Sequence, residues 1–158
     1  MLPLETMLLR LGVAILCGAV FGIEREFFAK REAGIRTSLI VSAGAAIFSI
    51  VGLSLPSVVG GAVADSGPAL NVIANIVIGV GFLGAGIIIH QGPHVRGLTT
   101  AATVWLVAAV GVLAGVGLVE FALVTTAGMT ILLSLLRRFE QYLSPTPAAP
   151  DDYRPPAR

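Results

Sequence analysis

The chain has 158 residues, 56% of them hydrophobic, 12% charged and 6% aromatic, with 19 glycines and a formal net charge of +1. A mean hydropathy of +0.93 excludes an ordinary soluble domain, and a charge near zero gives no basis for nucleic-acid binding. The length suits one compact helical bundle, and the lone Cys17, inside an apolar run, has no internal disulfide partner and reads as a buried thiol.

Five apolar runs approach the ~20 residues needed to cross a ~30 Å hydrocarbon layer. They cover residues 7–23, 37–55, 70–89, 99–118 and 121–136. They predict an all-α integral membrane protein, a five-transmembrane-helix bundle over residues 1–143. The first run is not read as a cleavable signal, because no Lys or Arg precedes Arg10 and Leu16 stands where a lipoprotein signal needs a small residue. Within it Ala14, Gly18 and Gly22 recur every fourth residue, a face suited to close helix approach.

Glu24-Arg25-Glu26 ends this helix at the membrane border. Ionisable groups at membrane depth are costly and tend to be functional, whereas at the border they can snorkel to water. Three readings stand: an interior ion-pair network reaching Arg36 or Arg96, a cation or proton site, and a solvated border. Hard cations take oxygen ligands, which Glu24, Glu26 and Asn75 carry, although Asn75 lies toward the opposite end. Arg36-Thr37-Ser38 then opens the second helix with good N-capping residues.

The third run, residues 70–89, holds glycines at 79, 81, 84 and 86. Glycine costs a soluble helix about 1 kcal/mol per residue, but in a bilayer small residues let backbones approach. Gly79, Gly81, Gly84 and Gly86 therefore read as helix-packing positions. The stretch matches G-x-G-x-x-G, yet no preceding strand or following acidic residue supports a dinucleotide site. Asn75 aligns at helical spacing with Gly79, Phe82, Gly86 and His90, either as interhelical glue or as a polar cavity lining. His90 and His94 flank Gly92-Pro93, which breaks the helix a two-histidine metal site would need.

Arg96-Gly-Leu-Thr99-Thr100 repeats the basic, hydroxyl-rich helix start ahead of the fourth run, where Gly111 and Gly115 form another small-residue face. The first two helices resemble the third and fourth, predicting two parallel-repeated helical hairpins plus a fifth helix. Thr125, Thr126, Thr130 and Ser134 make the fifth helix the more polar continuation. Residues 144–158, with five prolines, read as a disordered Pro-rich cytoplasmic tail.

With five spans, nine of the ten Lys and Arg residues fall on one side and only Arg10 on the other. Basic residues favour the cytoplasm, so the N-terminus is expected outside and the C-terminus inside.

Gly22-Ile-Glu-Arg-Glu26, Ala33-Gly-Ile-Arg-Thr37, Gly79 to Gly86, and Val95-Arg-Gly-Leu-Thr-Thr-Ala-Ala-Thr103 followed by Trp105 resemble the signature of the MgtC/SapB family. All four blocks fall in the family's order and spacing. The resemblance implies a multi-pass protein of the bacterial inner membrane, linked to growth at low magnesium and, in pathogens, to virulence. It also implies a polar residue just before the glycine block, here Asn75. Longer members carry a soluble C-terminal domain, and this chain reads as the short form without it.

No nucleophile–base constellation suggests an enzyme, and no cofactor is expected. Two classes of function remain: a regulatory membrane subunit for ion homeostasis, or a transporter or channel for Mg²⁺ or another cation. A homodimer through the first helix and a complex with another membrane protein are both open as partners within the lipid bilayer.

Overall fold

A computed structural model describes residues 2–28, 33–58, 67–91 and 94–143. The expected tail, residues 144–158, lies outside them. Five helices are long and apolar enough to cross a membrane: α1 (Leu4–Ile23), α2 (Ile35–Val58), α3 (Gly67–Ile87), α4 (Leu98–Val116) and α5 (Val119–Leu143). A π-helical turn, Glu24–Phe28, continues α1, and a two-stranded antiparallel hairpin, β1 (Ile89–Gln91) and β2 (His94–Arg96), joins α3 to α4.

Most helix ends shift by a few residues from the hydropathy runs, and two of the shifts have a physical cause. α3 stops at Ile87 because the next residues pair as strands, His90 opposite Val95 and Gln91 opposite His94. α5 runs on through Arg137 and Arg138 to Leu143, since a charged turn at the border does not end a helix whose backbone bonds are internal. The connections of the two expected repeat units also differ. The first uses a π-turn and the second a β-hairpin.

The packing follows from small residues. A Cβ on Gly18 would stand 2.7 Å from the Ser38 carbonyl oxygen, and one on Gly22 would collide with the Ile35 backbone. Along the same stripe of α2, a Cβ on Gly111 would collide with the Ser42 carbonyl, and one on Gly115 would stand 2.7 Å from that of Ala46. α2 is thus gripped at backbone distance by α1 and α4. Ser42 donates from Oγ to the Ala14 carbonyl at 2.8 Å, a link worth about 0.6 kcal/mol in a membrane. Ala14, Cys17 and Phe21 of α1 close the centre with Ala46, Val107, Val110, Ala114 and Ala122.

α3 and α5 are peripheral. Protein buries 11% of the apolar window in each, against 56% in α4. Gly84 is buried and its Cβ position lies 3.6 Å from Ala101 of α4, but Gly79, Gly81 and Gly86 have no atom within 4 Å of theirs. Gly79, Gly81 and Gly86 of α3 therefore have no close neighbour among the described residues.

α4 ends in a Schellman arrangement. Gly117 adopts φ 100°, its N–H reaches the Ala114 carbonyl and that of Leu118 the Leu113 carbonyl. Arg10 donates to the Gly115 carbonyl at 3.0 Å, so the one basic residue at this end satisfies a terminal carbonyl and the negative helix pole.

Candidate functional site

Polar groups gather at the opposite end, where α1 finishes, α2 and α4 begin and α5 leaves the bundle. The π-turn shapes this site. An α-helical continuation would point Glu24, Arg25 and Glu26 about 100° apart, and the wider turn brings both Glu24 and Arg25 inside, at 6% and 3% exposure. Such turns are frequent at functional sites.

Arg25 is held from three directions. Its Nε donates to the Ala33 carbonyl at 3.0 Å, Nη1 to Thr103 Oγ1 at 2.8 Å and Nη2 to Thr100 Oγ1 at 2.7 Å. Thr103 Oγ1 in turn donates to the Thr99 carbonyl at 2.8 Å. One fork of donors thus ties the end of α1 to the segment before α2 and to the first turns of α4, and a planar guanidinium is suited to this.

Glu24 and Glu26 diverge. Glu24 Oε1 accepts from Arg137 Nη1 of α5 at 3.1 Å in a partly buried ion pair. Glu26 is exposed, and its Oε2 accepts from the Ile35 N–H at 2.9 Å, which caps α2. A carboxylate suits that position because the helix N-terminus is positive. Gly34 makes room for it, since a Cβ there would stand 2.5 Å from Glu26 Oε2.

Of the residues singled out by sequence, Glu24, Arg25 and Thr100 meet in the interior. Arg36 is exposed on the first turn of α2, Thr99 is exposed with its carbonyl engaged, and Arg96 is half-buried at the end of β2. Glu24 pairs with neither Arg36 nor Arg96. Asn75 lies elsewhere, exposed on α3, where it lines a lateral groove of about 530 Å³ against α2. Sequence reasoning did not single out Arg137 or Thr103 for this cluster. Thr103 falls three residues after Thr100 on one helical face, a spacing that is legible; the placement of Arg137 depends on how α5 packs and is not.

Residues 11–142 match the MgtC family. Among similar proteins, "Protein MgtC" of Brucella abortus (strain 2308) is 48% identical over 133 residues, which is 84% of this chain and 52% of that protein. "Protein MgtC" of Salmonella choleraesuis (strain SC-B67) is 39% identical over 142 residues, 90% of this chain and 57% of that protein. The chain spans about half the length of the curated relatives it matches. No solved structure matches it. The matched region runs from α1 into the last turns of α5 and takes in Glu24, Arg25, Thr100, Thr103 and Arg137, so the site described above lies wholly within it, and the chain belongs to the MgtC family.

Proposed function

We propose that this chain is a non-catalytic regulatory subunit of the bacterial inner membrane, supporting ion homeostasis when magnesium is scarce by contacting another membrane protein. The N-terminus lies outside and the C-terminus in the cytoplasm, in keeping with the arginines gathered at the Glu24 end.

The observation that carries this reading is Asn75. Its carboxamide is exposed on a membrane-length helix and has no hydrogen bond among the described residues. A polar side chain at membrane depth is expensive unless it meets a partner, and an interhelical partner returns about 0.6–2 kcal/mol. Gly86, exposed on the same face of the helix, allows close approach there. The buried polar groups at the Glu24 end are meanwhile committed to one another.

Two measurements test the proposal. Proteoliposomes holding the purified chain are expected to pass no Mg²⁺, K⁺ or H⁺ above empty vesicles. A photo-crosslinking residue at Phe82, exposed on the face of Asn75, is expected to trap one defined membrane protein in cells, with the yield cut by Asn75→Ala. Cation flux that Glu24→Gln or Asn75→Ala abolishes would instead establish conduction and sink the regulatory reading.

A further inference from the structure

The groove between α2 and α3 has an apolar lining except for Asn75 toward its far end, where Val72 abuts Gly52. Its volume of about 530 Å³ falls within the ~300–1,000 Å³ of small-molecule sites. Gly44 on α2 and Gly79 on α3 both line it, and a Cβ at either would meet no atom within 4 Å. Absent side chains on both walls hold it open.

Dimensions select the occupant. From Val72 to Leu83 the lining runs about 16 Å at the ~1.5 Å rise of a helical residue, about half of the ~30 Å hydrocarbon layer. A single acyl chain is apolar, thin and one leaflet long.

Charge selects the headgroup. Ile40 lines the groove at the end remote from Val72, and Arg36 precedes it by four residues on the same face of α2. Helical side chains lean toward the N-terminus, which carries the guanidinium to the membrane border beside the groove's mouth. Arg36 is exposed and makes no hydrogen bond or ion pair among the described residues. We propose that this groove seats one acyl chain of an anionic phospholipid whose phosphate pairs with Arg36. Guanidinium and phosphate form charge-assisted, frequently bidentate bonds. The site goes beyond the regulatory reading and stands without it.

Native mass spectrometry of the full purified chain, offered phosphatidylglycerol and phosphatidylcholine in equal amounts, tests it. One phosphatidylglycerol is expected to be retained preferentially, and Arg36→Gln should lower that preference about fivefold. Arg138→Gln, at an exposed arginine on α5, should leave it unchanged. Gly44→Leu and Gly79→Leu, each filling the groove, should remove the retained lipid while circular dichroism and a monodisperse profile stay as in the parent. An unaltered preference in Arg36→Gln overturns the proposal, as does undiminished retention in both leucine variants. A dimer that Gly79→Leu dissolves while lipid retention persists overturns it too, and gives the groove to a second copy.

Discussion

Arg137, on the last turns of α5, donates to the Glu24 carboxylate at the end of α1 across 3.1 Å. The residues lie 113 positions apart, and their pair fastens the peripheral fifth helix to the core at the basic end. Cys17 lies 4.0 Å from the Ala122 carbonyl, nearer the other end of the same two helices. A double-mutant cycle with Glu24→Gln and Arg137→Gln should return a coupling of about 1 kcal/mol, read from unfolding in mixed detergent. A coupling of zero would mean that this ion pair does not hold α5 to the core.

Arg25→Lys should destabilise the chain although it keeps the charge. A single ammonium cannot reproduce a planar fork aimed at Thr100, Thr103 and the Ala33 carbonyl. Losing one charge-assisted bond costs about 1.5–3 kcal/mol. The thermal midpoint should therefore fall further in Arg25→Lys than in Arg36→Lys, whose guanidinium is exposed.

Two glycine substitutions should have opposite fates. Gly111→Ala forces a methyl group onto the Ser42 backbone, and overpacking of this kind costs about 1–3 kcal/mol. Gly81→Ala meets open space and should leave stability unchanged or slightly raised. Equal effects on detergent-resistant folding would contradict the packing described for α2.

Orientation is open to chemical labelling. In a Cys17→Ala background, Tyr142→Cys, placed at an exposed position on the final turn of α5, should react with an impermeant maleimide only after the membrane is opened. Labelling on intact cells would invert the proposed topology.

Five spans are legible in the sequence because each is a long apolar run and a bilayer demands that length. The small-residue faces of α1 and α4 are legible too, since Gly18/Gly22 and Gly111/Gly115 repeat at helical spacing. What the spacing does not reveal is the surface each face meets. The richest glycine segment, on α3, keeps Gly79, Gly81 and Gly86 away from other atoms of the chain, while the more modest Gly111 and Gly115 touch α2 backbone. Composition records that a backbone can be approached, not what approaches it. The π-turn is hidden for a related reason. Glu24-Arg25-Glu26 reads as a helix end, and only the contacts made to Ala33, Thr100 and Arg137 select the wider turn that buries two adjacent charged residues. Glu26 reaching Ile35 is likewise a tertiary cap that no local motif announces.

The close approach of both α1 and α4 to α2 has a consequence for how the molecule is assembled. Its first partner, α1, is already in the membrane when α2 is made, so Ser42 can meet Ala14 at once. Its second partner emerges only after α3 and the β-hairpin have been synthesised, leaving the approaches of Gly111 to Ser42 and of Gly115 to Ala46 unmade in the meantime. The nascent protein is therefore half built until its fourth helix slots home, and α3, inserted earlier, must wait at the margin while that later arrival takes the place beside α2.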